Sequence, residues 1–202
     1  MAPGPWTWLR QVHGARVVEV VAPGDHAGAE ADAAVTNHPD AVLCILTADC
    51  APIGFTSAEG VRGVAHAGWR GLAEGVIPAT VAAMRRHGAT TIESTLGPCI
   101  HPGCYEFSVA DLDDVASRLG DHVRSTTADG RPALDLPNAV RTELARAGTD
   151  LTDDRCACTA CDVDVDGSWR WFSYRARGDT DRQALISLQM AKVAPTFGSR
   201  PG

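Results

Sequence analysis

Hydrophobic and polar positions follow two periods along this chain. "WTWLRQVHG" (residues 6–14) and "ARVVEVVAP" (15–23) are rich in aromatic and β-branched residues and read as two strands around His13-Gly14. "AVLCILTAD" (41–49) is an almost unbroken apolar run, the mark of a buried strand, and it ends at Asp49-Cys50. "APIGFTS" (51–57) and "VRGVAHAG" (61–68), separated by Glu59-Gly60, read as a hairpin whose second strand ends at His66. The period then lengthens. Leu72, Val76, Ala79, Thr80, Ala83 and Met84 keep helical spacing and predict one helix over residues 72–87, stopped by Gly88. "TTIESTLG" (90–97) is a further strand. Ser108 is placed to cap a helix running to Leu119, and residues 135–147 form another, ended by Gly148. "SWRWFSYRAR" (168–177) reads as a strand, and "RQALISLQMAK" (182–192) as a last strand or short helix. The Pro- and Gly-rich tail after Ala194 reads as loose. Strands outnumber helices, in hairpins as well as β-α units. That predicts an α+β fold, mixed β-sheets with helices packed on them, in a single domain over residues 1–202.

Composition narrows the function classes. At 45% hydrophobic and 21% charged, the 202-residue chain can bury an ordinary core. The net charge of −7 and the lack of a dense Lys/Arg cluster argue against a nucleic-acid partner. No apolar run has the length of a membrane span, and the first residues lack the order of a signal peptide, so a cytoplasmic location is expected. The seven cysteines, Cys44, Cys50, Cys99, Cys104, Cys156, Cys158 and Cys161, are then expected to be free, for packing, metal binding or catalysis.

Three residue types that bind zinc fall at strand ends or turns: His13, Cys50 and His66. Two histidines and a cysteine are one of the catalytic zinc sets, which keep a fourth position open. Spacings of 37 and then 16 residues are no local motif, however, and by themselves these residues read as ordinary packing. Arg70 stands just before the predicted helix from Leu72, where free N–H groups and a guanidinium would suit phosphate; the alternative is packing on Trp69. Asp49 either orients a ligating imidazole or caps a turn. Cys99, His101 and Cys104 read as packing, while Tyr105 and Glu106 are placed to border a pocket. "CACTAC" (156–161) offers three thiols and no nearby histidine, one donor short of a closed zinc site, and reads as loop thiols without a metal. "DVDVDG" (162–167) opens like a calcium loop, but Ser173 stands where the bidentate glutamate is needed, so Asp166-Gly167 reads as a turn.

"QVHG", "TADCAPI", "AHAGWRG", "LGPCI…CYEF", "DDRCAC" and "FSYRARGDTDRQA" occur in one order from about Trp8 to Ala184. Together they resemble the YfiH/YlmD-like family, formerly called multicopper polyphenol oxidase or laccase-domain proteins. The resemblance implies a zinc-dependent purine nucleoside phosphorylase with adenosine deaminase and methylthioadenosine phosphorylase activity. It makes His13, Cys50 and His66 the ligands of one metal ion, with Cys50 and His66 as catalytic residues. Arg70, Asp49 and Arg175 follow as substrate-binding candidates. The chain begins only twelve residues before His13, so the usual N-terminal segment of the family is expected to be missing.

Rival readings share the site. A multicopper centre needs paired histidines, and no two of the seven stand two apart. A single copper ion can still compete for the same three ligands and support polyphenol oxidase activity. The resemblance also reaches amidases that edit peptidoglycan precursors, acting on a muramyl-amino acid nucleotide. A zinc-binding module without turnover is the third reading. The expected partners are small molecules, a purine nucleoside and phosphate, for a monomer or small homo-oligomer.

Overall fold

The computed structural model describes residues 5–189. The strands in chain order are β1 (Trp6–Arg10), β2 (Val17–Val20), β3 (Ala29–Glu30), β4 (Ala33–Thr36), β5 (Val42–Thr47), β6 (Ala51–Ser57), β7 (Arg62–Ala67), β8 (Ile92–Leu96), β9 (Arg124–Thr126), β10 (Pro132–Leu134), β11 (Asp150–Asp154) and β12 (Gln183–Ser187). The helices are α1 (Trp69–Glu74), α2 (Val76–Arg86), α3 (Val109–Leu119), α4 (Leu136–Arg146) and α5 (Tyr174–Arg177). A six-stranded sheet has the order β11-β8-β6-β7-β4-β2, a four-stranded sheet the order β12-β5-β1-β3, and β9 pairs with β10. Parallel and antiparallel pairs are mixed, so the fold is α+β with helices on mixed sheets.

Alternation along β7 explains the layering. Ala65 and Ala67 join Ile53, Phe55, Ile77, Val81 and Met84 in the larger core, between the six-stranded sheet and the helices. Val64, on the opposite face, joins Leu9, Leu43 and Ile45 in a smaller core between the two sheets. His66 shares the Val64 face, because side chains two apart on a strand point the same way. It therefore ends its strand at the rim of the space between the sheets. Each fully buried side chain such as Phe55 or Ile77 contributes roughly 2 kcal/mol of hydrophobic stabilisation.

The β6–β7 hairpin, the Ser108 cap of α3 and the helix over residues 135–147 match the expectations from sequence; Asp135 caps that helix, and each cap oxygen accepts a backbone N–H at 3.0 Å. Three expectations need correction. The helix foreseen over residues 72–87 starts earlier and is two helices, because Gly75 adopts a left-handed conformation (φ 87°) between α1 and α2. Arg70 thus lies inside α1 instead of before it. Residues 168–177 are not a strand. Two of their amides go to carboxylates, Ser173 N–H donating to Asp179 and Arg175 N–H to Asp49, and the Ser173 hydroxyl accepts from Ala176 N–H to start α5. Of the 182–192 segment, β12 is a strand; its last residues, and the tail after Ala194, lie outside the described residues.

Candidate active site

Topology brings the three candidate ligands together. β1 and β5 run parallel, so the segments leaving their C-terminal ends emerge at one rim. The Gln11 amide extends that ladder, donating to the Leu46 carbonyl (2.7 Å) and accepting from Leu46 N–H (2.9 Å). His13 and Cys50 follow these two ends. The β6–β7 register pairs Ala51 with Ala67 and Pro52 with His66, which sets Cys50 against the end of β7. The donor atoms of His13, Cys50 and His66 consequently lie within 4.8 Å of one another, and the two imidazole rings meet edge to face at 4.8 Å.

Asp32 organises this arrangement, and no motif pointed to it. It is fully buried just before β4, and His66 N–H donates to its carbonyl at 2.7 Å. Its carboxylate sits 2.8 Å from His66 Nδ1, leaving the Nε2 of that ring for Cys50 or a metal ion. It also accepts the backbone N–H groups of Val12, His13 and Gly14 at 3.2, 2.9 and 2.8 Å. These bonds hold the turn at His13, whose φ of 61° is rare for a residue with a side chain. One trace of Asp32 is visible in the sequence: a lone acid in the small, apolar run Ala31 to Val35.

Electrostatics favour a charged thiolate. Burial pushes the Cys50 thiol up, but hydrogen bonds from His13 and His66 outweigh it and bring the group down to about 6. Burial pulls His66 down, while Asp32 and Cys50 together carry it up to about 9. For Asp32, burial raises the carboxyl, and the bonds from His66 and Gly14 reverse the shift to below its usual range. Glycines admit the neighbouring helix. A Cβ on Gly68 would stand 2.9 Å from His13 Cδ2 and 3.0 Å from Cys50 Sγ, and one on Gly71 would stand 2.9 Å from the Gly14 carbonyl oxygen. Two imidazoles and a thiolate, drawn in at one rim, fit a single soft or borderline ion such as zinc or copper.

A cavity of about 540 Å³ opens over these residues, a usual size for a small-molecule site. Trp69, Arg70, Tyr105, Tyr174, Arg175 and Arg182 form its walls. The Arg70 guanidinium lies 4.4 Å over the Trp69 ring and has no carboxylate partner among the described residues. Arg70 thus packs on Trp69, one of the two sequence alternatives, and also lines the cavity. Arg175 lies 4.8 Å over the Tyr105 ring and donates to the Glu106 carbonyl at 3.0 Å. Burial holds the Tyr105 phenol well above its ordinary range, so it stays protonated.

Other candidates sit differently. Asp49 borders the cavity, but it is Asp32 that meets the His66 imidazole. The Asp49 carboxylate accepts from Thr159 Oγ1 (2.7 Å), Ser173 Oγ (2.6 Å) and Arg175 N–H (2.7 Å), tying the C-terminal segment to the rim. Glu106 does not line the cavity; its side chain pairs with Arg131. Asp166-Gly167 forms a turn, as expected, with Gly167 at φ 83°. Trp69, Tyr174, Arg182 and Gln11 were not singled out as cavity residues, although each lies within one of the blocks "QVHG", "AHAGWRG" and "FSYRARGDTDRQA". Among the described residues only His13 and His66, of the seven histidines, join a group of three metal-capable side chains, so the donors do not fit a multicopper centre. No helix of the described residues is long and apolar enough to cross a membrane.

Known proteins share this fold and much of the sequence. A Neisseria meningitidis protein superposes with a TM-score of 0.76 at 30% identity, covering 93% of this chain and 76% of the other. YlmD from Geobacillus stearothermophilus gives 0.76 at 31% identity, covering 92% and 74%. A purine nucleoside phosphorylase of Streptomyces coelicolor is 37% identical over 186 residues, 90% of this chain and 74% of that protein. One from Xylella fastidiosa is 38% identical over 189 residues, 89% and 70%. A family model described as multi-copper polyphenol oxidoreductase laccase matches residues 1–189, and the chain belongs to that family.

Proposed function

We propose that the protein is a zinc-dependent purine nucleoside phosphorylase, with His13, Cys50 and His66 holding the metal and Cys50 and His66 at the reacting centre. The observation that carries the reading is one cavity shared by this donor set, three arginines and three aromatic rings. The naming of the Streptomyces and Xylella relatives supports it. Held there by His13, Cys50 and His66, zinc would supply Lewis acidity toward a substrate oxygen.

The chain's own residues do the rest. Arg70, with its donors uncommitted to any carboxylate among the described residues, binds phosphate through paired N–H groups, aided by Arg175 and Arg182. Trp69, Tyr105 and Tyr174 offer flat faces to the purine. A phosphate oxygen forms a bond to the ribose C1′ as the C1′–N9 bond breaks. The bonding pair leaves with the purine, which takes up a proton, and the protonated Tyr105 phenol can donate a hydrogen bond to developing charge. Methylthioadenosine is cleaved by the same bond changes. Deamination of adenosine belongs here as a slower side reaction: it needs a proton carrier for the departing ammonia, and Asp49, the carboxylate bordering the cavity, is committed to three donors. The seven free cysteines suit a reducing, cytoplasmic setting.

The test is product analysis of zinc-loaded protein with adenosine, with and without phosphate. The reading expects adenine and ribose 1-phosphate only when phosphate is present, inosine more slowly, and neither from His66→Ala. Free ribose without phosphate, or turnover unaffected by His66→Ala, would overturn it. Preferential release of an amino acid from a muramyl-amino acid nucleotide would instead assign an amidase.

A further inference from the structure

A second set of sulfur donors lies away from the cavity centre. Cys158 and Cys161 stand three positions apart in Cys-Thr-Ala-Cys, a spacing at which one turn can present two thiols to one ion. That turn is closed by Asp162 N–H donating to the Cys158 carbonyl at 3.0 Å. The tight turn Pro102–Cys104, remote in sequence, supplies a third thiol. The sulfur atoms of Cys104, Cys158 and Cys161 lie within 4.8 Å of one another, graded from the buried Cys158 to the exposed Cys161. The Cys158 sulfur also accepts the His101 backbone N–H at 3.4 Å, which favours its thiolate. The two other thiols nearby are engaged elsewhere: Cys99 and Cys156 meet at 3.3 Å, and His101 Nε2 lies 3.4 Å from Cys156 Sγ. Three thiols are thus left facing one another.

We propose that Cys104, Cys158 and Cys161 form a second metal site for one thiophilic ion, Zn²⁺ or Cu⁺, bound by three thiolates. Such ligands select soft ions over magnesium or calcium. With Cys161 exposed, a fourth position can be filled from solvent, as Zn²⁺ requires. Within "CACTAC" alone the set is not visible, because Cys156 turns to Cys99 and His101 and its place beside Cys158 and Cys161 is taken by Cys104 from another loop. An ion here would clamp two pieces of the cavity wall. Thr159, between two of the ligands, bonds Asp49 at 2.7 Å, and Tyr105 directly follows Cys104. The site stands whether or not the cavity performs phosphorolysis.

Metal content of the fully reduced protein after dialysis against zinc tests this. Two equivalents are expected, falling to one in Cys50→Ala and to one in either Cys104→Ser or Cys161→Ser. Cobalt(II) substitution separates the sites: the thiolate-to-cobalt band of the second should be roughly three times as intense as that of the single-thiolate first. An anaerobic copper(I) titration identifies the preferred ion, and tight uptake of either supports the site. Uptake of neither beyond one equivalent, or a second equivalent that survives Cys161→Ser, overturns it. Cys161 is exposed, so its substitution leaves the core intact.

Discussion

The Asp32 carboxylate faces four donors: three amides of the Val12 to Gly14 turn and Nδ1 of His66. Asp32→Asn keeps the volume but replaces an acceptor-only group with one that is half donor. We expect metal affinity to fall about 10–100-fold, measured by chelator competition, as for other partners of ligating histidines. Loss of stability should stay near 1–3 kcal/mol in urea titrations. Gly68→Ala acts from the other side. Its Cβ overlaps His13 Cδ2 and Cys50 Sγ, so the ring or the helix must shift; the variant should fold about 1–3 kcal/mol less stably and bind metal more weakly, read by thermal melting and metal analysis. At this scale the sequence was legible in part. His13, Cys50 and His66 carried the right chemistry, but their spacings became meaningful only through the family resemblance. Asp32 was hidden because one acid among alanines has no partner in sequence; its partners come from two other strands' ends.

Element pairing explains both what the patterns showed and what they concealed. The β6–β7 hairpin was legible because its apolar runs flank an evident turn, Glu59-Gly60. The β4 strand was missed because Ala33–Thr36 is only four residues long and half alanine, which carries little strand preference, and β11 because its residues are mostly acidic. Glu59 also ties the hairpin tip to the loop before β8, accepting from the Thr90 hydroxyl and, at 3.3 Å, from Thr90 N–H. The Thr90 hydroxyl and nearby donors hold this carboxyl at about 2, below its ordinary 4.5. Because the folded value is the lower one, the contribution is full above about pH 4.5 and disappears as pH falls toward 2. Glu59→Gln should therefore differ from the parent in urea midpoint near neutrality and converge with it across that acid window. A difference that stays constant with pH would contradict the tie.

Across the whole molecule, the site depends on two sheets meeting at one rim, and that partition was not readable. β1 and β2 are neighbours in the chain yet enter different sheets, because their parallel partners β5 and β4 come later. The C-terminal segment reaches the rim through Asp49, whose φ of 88° and three accepted bonds fix it beside Cys50. Asp49→Ala should cost about 2–4 kcal/mol. It should also expose residues near Ser173 to limited proteolysis and raise the phosphate KM through Arg175, while zinc stoichiometry at the first centre is retained. We propose that the rim formed by His13, Cys50 and His66 and the arginine walls act together on a purine nucleoside and phosphate. The most direct measurement is the rate of hypoxanthine release from inosine as phosphate is raised, for zinc-loaded protein and for Cys50→Ala. We expect a rate that saturates with phosphate, yields ribose 1-phosphate in equal amount and is lost in Cys50→Ala. Release that is independent of phosphate, or undiminished in Cys50→Ala, would contradict it.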